Sequence, residues 1–104
     1  MMYTENISFE WNDEKAARNA SKHGITFEEA STVFLDDERA MQLQDWRHSE
    51  FEERFWLIGE SKRERILVIV FTVRGMNHVR IISARPANRR EKKSYEENAG
   101  IRFQ

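Results

Sequence analysis

The chain has 104 residues, of which 34% are charged and 39% hydrophobic, and it contains no cysteine. This length is typical of one domain with a single hydrophobic core. The lack of cysteine excludes disulfide bonds, thiolate catalysis and a cysteine-ligated zinc, and it favours an intracellular setting. No apolar run approaches the roughly 18 residues that span a membrane, and the N-terminus has no basic, apolar signal sequence, so we expect a cytoplasmic protein.

The formal net charge of −1 conceals a strong asymmetry along the chain. Residues 1–60 contain six Lys and Arg against fourteen Asp and Glu, whereas residues 61–104 contain eleven against four. A basic half of this kind is typical of a surface that binds a polyanion. The alternative is that the two halves neutralise each other in the folded chain.

The first residues predict a short strand and a helix. Residues 7–11 alternate apolar with polar side chains, which is typical of a strand. Asn12 is a suitable N-cap for a helix over residues 13–23, and Gly24 is a suitable left-handed residue to end it.

A second helix is predicted directly after the first. Thr26 and Glu29 have the spacing of a capping box, in which each side chain accepts a hydrogen bond from the backbone amide of the other residue. The helix is expected to run to about Leu35 and to lay one face on a sheet. That face comprises Phe27, Ala30, Ser31 and Phe34.

The middle of the chain predicts the sheet around which the other elements are organised. Three apolar segments, separated by short polar turns, occupy residues 56–59, 66–74 and 79–85. Their spacing is typical of a three-strand antiparallel meander. The β-branched segment 66–73 is expected to be the central strand, buried on both faces. An edge strand is expected over residues 40–43, and a charged loop over residues 45–53 then leads into the meander.

The C-terminal residues predict one further helix. Pro86 is expected at its N-terminus, its end is expected near Asn98, and residues 98–104 are expected to form a tail. The fold class is therefore α+β. We expect a small antiparallel sheet, consisting of the meander and one or two edge strands, packed by two N-terminal helices and one C-terminal helix.

Common catalytic signatures are absent from the sequence, among them the phosphate-binding P-loop, the dinucleotide-binding glycine motif, the zinc-protease helix and the serine-hydrolase elbow. His23, His48 and His78 lack the short spacing that makes a metal site specific. We therefore expect no metal and no cofactor.

The residues present are compatible with RNA cleavage without a metal. Such a reaction needs a base for the 2′-hydroxyl, cations for the charge on the phosphorane, and an acid for the leaving 5′-oxygen. Glu53 or His23 is the candidate base. Arg65, Arg80 and Arg85 are candidates for holding the phosphate. His23, or a water supported by an arginine, is the candidate acid.

These residues also have structural interpretations. His23 at the end of a helix complements the helix dipole, and charged strand residues protect a sheet edge from aggregation. Arg80 and Arg85 are five residues apart, so an ideal strand directs them to opposite faces. Either a β-bulge changes the direction of one of them, or only one belongs to the site.

Basic and aromatic residues are candidates for contacting RNA. Arg89, Arg90 and Lys93 form a basic cluster on the last helix that suits phosphate contacts. Trp46, in the charged loop, is the better candidate for stacking on a base. Trp11 is a second candidate, although its place in a predicted strand also fits a packing role.

Two motifs resemble one known family. The first runs W-x-x-x-K-A-x-x-N-x-x-K-H-G-I-x-F-E-E-A from Trp11, and the second is R-I-I-S-A-R from Arg80. Together with the intervening segments, over about Phe9 to Glu97, they resemble the BrnT family of bacterial type II toxins. The family pattern marks Trp11, His23, Gly24, Glu53, Arg80, Ser83 and Arg85. This chain departs from the pattern at Phe51, where a small residue is expected, and at residues 62–64, which lack a hairpin glycine.

The resemblance implies a RelE-like ribonuclease toxin over residues 1–104 that cuts RNA without a metal and inhibits translation and growth. It also implies a BrnA-like antitoxin with a ribbon-helix-helix part, which neutralises the toxin and represses the operon together with it. Contact with operator DNA then runs through the antitoxin alone. The alternative is a non-catalytic module of the same fold that binds an antitoxin or a nucleic acid.

Overall fold

The computed structural model describes residues 7–36, 39–45 and 52–102. These residues form five strands and three α-helices, with a short 3-10 helix over Val33–Leu35 after the second helix. In chain order the elements are β1 (Ser8–Glu10), α1 (Asp13–His23), α2 (Phe27–Thr32), β2 (Met41–Gln44), β3 (Phe55–Glu60), β4 (Ile66–Val73), β5 (His78–Pro86) and α3 (Arg89–Arg102).

The strands form one sheet in the order β1-β5-β4-β3-β2. β4 lies in the centre, as its apolar sequence predicts, and β3, β4 and β5 are antiparallel neighbours. β1 runs parallel to β5, with Glu10 opposite Arg80, so the expectation of a purely antiparallel sheet is wrong. The alternation of residues 7–11 indicates which side chains face the core, but it does not indicate the direction of the partner strand.

The first helix confirms both predicted ends. The Asn12 side chain accepts a hydrogen bond from the Lys15 amide at 3.0 Å. Gly24 has a φ of 70°, in the left-handed region, and its amide donates to the Ala20 carbonyl. A residue without a Cβ adopts this conformation at little cost, so the chain can turn here into α2.

The second helix has half of the predicted capping box. The Thr26 hydroxyl accepts from the Glu29 amide at 3.0 Å, but the Glu29 carboxylate instead accepts from Ser61 and Arg65. A guanidinium forms stronger hydrogen bonds to a carboxylate than a backbone amide does, so the tertiary partner prevails. With the 3-10 turn included, the helical segment ends at Leu35, as predicted.

The sheet has two different faces. The face under α1 and α2 carries the larger core, with Leu57, Ile69 and Phe71 fully buried against Phe27 and Phe34. A fully buried side chain of this size contributes about 1.5–3 kcal/mol, so this face supplies most of the stability. The opposite face, called the outer face below, has a smaller core of Ile58, Val68, Ala87 and Tyr95 under α3.

The C-terminal helix differs from the prediction at both ends. Pro86 ends β5, and Asn88 caps α3 by exchanging hydrogen bonds with Glu91 at 2.8 and 2.9 Å. The helix continues to Arg102, so the expected tail is wrong for residues 98–102. Asn98 does not act as a stop signal, because its side chain donates to the Arg39 carbonyl at 3.2 Å. In the described part of the chain, every helix is too short or too polar to cross a membrane.

Candidate functional site

A β-bulge determines which arginines share a face. Phe71 pairs with Ile81 and the preceding residue Val70 pairs with Ser83, so Ile82 is an extra residue on β5. Just past it, Asn19 clamps Ala84 with hydrogen bonds of 2.7 and 3.1 Å. An extra residue reverses the side-chain alternation for everything that follows.

The bulge places Arg80 and Arg85 on the outer face together. Val79, Ile81 and Ala84 belong to the core under α1 and α2, so the intervening side chains face outward. Arg80 lies opposite Thr72 and Arg85 opposite Val68, which separates them by four residues of β4, or roughly 13 Å. A β-bulge therefore changes the direction of one arginine, which is the first of the two possibilities that their spacing allowed.

Arg80 belongs to a group of basic side chains that surround one carboxylate. The two oxygens of Glu10 lie 3.3 Å from Arg80, 3.2 Å from the imidazole of His78 and 3.8 Å from Arg74. These four residues are called the Glu10 cluster below. Their side chains are 30–52% exposed, so the charges lie at the surface, where a ligand can reach them.

Glu53 lies at the same end of the sheet. The hydroxyl of Thr72, the residue opposite Arg80, donates to the Glu53 carbonyl at 2.6 Å. The exposed Glu53 side chain lines a cavity of about 560 Å³ whose wall also includes Thr72 and Arg74. Arg74 also lies 3.4 Å from Glu52, so it links this cavity to the Glu10 cluster.

Arg85 is held more tightly. Its two terminal nitrogens contact both oxygens of Glu91 at 2.7 and 2.8 Å, and its guanidinium lies 5.8 Å from the ring centre of Trp56. The hydrogen bonds from Arg85 lower the pKa of Glu91 and the same contacts raise the pKa of Arg85. Trp56 in turn donates to Asp45 at 3.1 Å.

Arg65 lies at the opposite end of β4, about seven residues or roughly 23 Å from the position facing Arg80. Its guanidinium bonds both carboxylate oxygens of Glu29, whose side chain is 5% exposed, and it reaches the Gly24 carbonyl at 3.3 Å. These hydrogen bonds lower the pKa of Glu29. His23, next to Gly24, lies at this corner as well, so the fold separates His23 and Arg65 from Arg80.

The residues proposed from sequence to contact RNA occupy three places. Trp11 is half-buried and packs edge-on against Phe27 with ring centres 5.9 Å apart, which favours its packing role. Trp46 lies outside the described residues. The basic residues of α3 are exposed and line a cavity of about 570 Å³ together with Glu96; they are Arg89, Arg90, Lys92 and Lys93.

The charge asymmetry along the chain leads both to ion pairs between its two halves and to an exposed basic surface. Acidic residues of the first half pair with cations of the second in the contacts Glu10–Arg80, Glu29–Arg65 and Glu52–Arg74. The sheet arginines are thus neutralised within the chain. The basic residues of α3 remain an exposed cationic surface.

The sequence groups Arg74 with Arg80 as cations that could meet at an anion, but sequence reasoning missed two other neighbours of Arg80, namely Glu10 and His78. They come together because β1 pairs in parallel with β5, which brings Ser8 opposite His78 and Glu10 opposite Arg80. The alternation of apolar and polar residues in each strand is visible in the sequence. The sequence does not show that β1 pairs with β5, about seventy residues later, so it could not predict that these side chains lie together.

Comparisons with known proteins agree on one family. A family model described as "Ribonuclease toxin, BrnT, of type II toxin-antitoxin system" matches residues 11–91. A search of curated proteins gives no significant match. Among solved structures, the crystal structure of the Brucella abortus ribonuclease toxin BrnT is similar, with a TM-score of 0.63 and 22% identity over 81% of this chain and 100% of that chain. The chain therefore belongs to the BrnT family of ribonuclease toxins of type II toxin–antitoxin systems.

Proposed function

We propose that the protein is a metal-independent endoribonuclease toxin of the cytoplasm that cleaves RNA and thereby inhibits translation and growth. The observation that carries this proposal is the bulge at Ile82, because it brings Arg80 and Arg85 to one accessible face of the sheet. Two guanidinium groups on one rigid face suit the binding of a polyanionic strand. A RelE-like mode of action is part of the same proposal.

The reaction is assigned to the end of the sheet where Arg80 lies. Arg80 holds the scissile phosphate, and the Glu53 carboxylate accepts the proton of the attacking 2′-hydroxyl. Arg85 holds a neighbouring phosphate of the RNA. The ring of Trp56 lies 5.8 Å from the Arg85 guanidinium, and we assign it to stacking on the base next to that phosphate. Arg65 supports the fold through Glu29 and stands outside this assignment, and so does His23.

An experiment on the purified toxin tests the proposal. The protein is incubated with single-stranded RNA in excess EDTA, and products are separated by gel electrophoresis. We expect cleavage that chelation does not reduce and that the Arg80→Ala variant lacks. Cleavage that disappears with EDTA and returns only with a divalent ion contradicts metal independence.

The partner is proposed to be a BrnA-like ribbon-helix-helix antitoxin, since membership of a type II family implies an antitoxin. We place its binding site on the outer face and the basic residues of α3, where an acidic segment would occlude the cations. The complex would contact operator DNA through the antitoxin and repress its own operon. A small ribbon-helix-helix protein encoded next to the toxin is expected.

Charge reversal tests this binding site. Electrostatic attraction accelerates association and makes it sensitive to salt. Replacing Arg89, Arg90 and Lys93 together with Glu is therefore expected to slow association with the antitoxin at least tenfold at low salt, as measured by surface plasmon resonance. An unchanged association rate places the interface elsewhere.

One observation favours a second candidate, a non-catalytic module that binds an antitoxin or a nucleic acid. Arg80 and Arg85 contact carboxylates of their own chain, Glu10 and Glu91. A substrate phosphate must replace at least one of these partners before cleavage. Wild-type protein that binds RNA in a gel-shift assay but leaves it intact would identify this alternative.

A further inference from the structure

Of the two histidines in the described part of the chain, His78 lies next to Arg80, and both of its ring nitrogens have hydrogen-bonding partners. Nδ1 lies 2.7 Å from the hydroxyl oxygen of Ser8, and Nε2 lies 3.2 Å from an oxygen of Glu10. The side chain is nevertheless 36% exposed. Nδ1 is fixed by Ser8, whereas Nε2 faces a carboxylate at the surface, so a ligand that displaces this carboxylate can take the Nε2 proton.

A phosphate held by Arg80 would lie beside this imidazole. One oxygen of Glu10 faces His78 and the other faces Arg80 at 3.3 Å, so the imidazole and the guanidinium flank the same carboxylate. Arg74, 3.8 Å from the first oxygen, adds a second guanidinium. A phosphate that replaces the Glu10 carboxylate as the partner of Arg80 therefore also lies next to the His78 imidazole and the Arg74 guanidinium.

The sheet places His78 and Glu53 on different sides of Arg80. Arg80 has Glu10 of β1 as its neighbour on one side and Thr72 of β4 on the other. Glu10 holds His78, whereas Thr72 holds the backbone of Glu53. In a displacement at phosphorus the attacking and leaving oxygens lie roughly in line, so the base and the acid must approach from different sides.

We infer that His78 is the general acid of RNA cleavage, with Ser8, which holds Nδ1, as the residue that positions it; the inference rests on the proposed ribonuclease function. The entering phosphate displaces the Glu10 carboxylate from Nε2, so the Nε2 proton then faces the substrate. Glu53 takes the proton from the 2′-hydroxyl as the bond from the 2′-oxygen to phosphorus forms. The bond from phosphorus to the 5′-oxygen breaks, and the Nε2 proton of the His78 imidazolium passes to that oxygen. The products are a 2′,3′-cyclic phosphate and a 5′-hydroxyl, and water returns the proton from Glu53 to His78.

A substrate with a sulfur atom in place of the leaving 5′-oxygen distinguishes an acid from a structural residue. A thiolate is a far better leaving group than an alkoxide, so its departure needs no proton. We expect His78→Gln to cleave ordinary RNA about 10²–10⁴-fold more slowly than wild type. On the sulfur-containing RNA the same variant is expected to cleave at close to the wild-type rate.

The comparison of two substrates on one protein sample is independent of the fraction that is folded. Met76→Ala, a change at a 91% exposed position of the same turn, is the matched control and should behave as wild type on both substrates. His78→Gln that cleaves ordinary RNA at the wild-type rate, or that loses both substrates equally, overturns the inference while the ribonuclease function stands. Wild-type protein that cleaves neither substrate overturns both.

Discussion

Two arginine sites at opposite ends of β4 show how differently one residue type is used in this fold. Arg65 grips Glu29, a carboxylate that is nearly buried and also bonded to Ser61 at 2.7 Å. Arg80 shares the half-exposed Glu10 with Arg74 and the imidazole of His78, at contacts of 3.2–3.8 Å. The first site is a nearly buried pair with short hydrogen bonds, whereas the second is a group of longer contacts at the surface.

The difference indicates which site can accept an external anion. A bidentate pair with a buried carboxylate cannot open without leaving a charge unsolvated, which is costly. A half-exposed carboxylate with three longer contacts can turn toward water at little cost, and surface ion pairs of this kind contribute at most about 1 kcal/mol. We therefore expect Arg65 to act in folding and Arg80 to act on the ligand.

Among the variants that compare the two arginine sites, the largest effect is expected from Arg80→Ala. Loss of a cation aimed at the charge that develops in the transition state costs on the order of 10²–10³ in rate. RNA cleavage should fall by that factor while the melting temperature stays near that of wild type. Arg65→Ala is the matched comparison and should instead lower the melting temperature, with cleavage lost only in proportion to the unfolded fraction. If the two variants exchange these behaviours, the contrast between the two sites is wrong.

Glu53→Gln is expected to have the next largest effect. The amide has nearly the same shape as the carboxylate but cannot accept the proton of the 2′-hydroxyl, so cleavage should fall roughly 10²-fold. The hydrogen bond from Thr72 reaches the backbone carbonyl and is unaffected, so circular dichroism and thermal unfolding should match wild type. Glu28→Gln, at an exposed position on α2, is the control, and a variant at Glu53 that cleaves normally would remove Glu53 from the mechanism.

The sequence predicts the helices and the central strands well because their signals are local. The capping residues Asn12 and Thr26, the left-handed Gly24 and the β-branched run of β4 each determine structure within a few residues. The parallel pairing of β1 with β5 depends on contacts across the whole chain and carries no local signal. That pairing creates the Glu10 cluster, so the part of the site that was missed is the part that local patterns do not encode.

Arg80 and Arg85 illustrate the same limit within one strand. The spacing of five residues shows that both can share a face only if β5 contains a bulge. Next to that bulge, Asn19 of α1 forms hydrogen bonds with the backbone of Ala84, and this contact between distant elements is not visible in the sequence of β5. Glu29 illustrates a local signal that was overruled, because its side chain leaves the capping box for Arg65. In each case the outcome coincides with a tertiary hydrogen bond that the local sequence does not predict.

Glu29→Gln tests the structural arginine site from its other partner. The variant keeps the shape of the side chain but loses the charge that Arg65 bonds, so we expect the free energy of unfolding to fall at pH 7. Chemical denaturation of both proteins measures this. Glu28→Gln, an exposed position on the same helix, is the control and should change stability little. If Glu29→Gln lowers the free energy of unfolding no more than Glu28→Gln does, the Glu29–Arg65 pair contributes little to folding.

The same variant makes a prediction about pH. The hydrogen bonds from Arg65 lower the pKa of Glu29 below its ordinary value of 4.5 in the folded chain. Its contribution is therefore present above about pH 4.5 and is lost as the pH falls through the lower, folded-state value. Wild-type stability should decrease more steeply with acid in this window than that of Glu29→Gln. A residual slope is expected in the variant, since the pKa of Glu91 is lowered as well.

The smallest effect is expected from Asn88→Ala, which asks whether α3 positions Arg85 or merely covers the sheet. The change removes the bond from the Glu91 amide to the Asn88 side chain, while the two contacts between Glu91 and Arg85 remain. Loss of an N-cap costs about 1 kcal/mol, so the melting temperature should fall by roughly 4–8 °C. RNA cleavage at 25 °C should stay within twofold of wild type, because Trp56 and Glu91 still fix the guanidinium. If cleavage instead fell tenfold in a protein that remained folded, Arg85 would depend on the start of α3 for its position, and the outer face would be less rigid than the sheet beneath it.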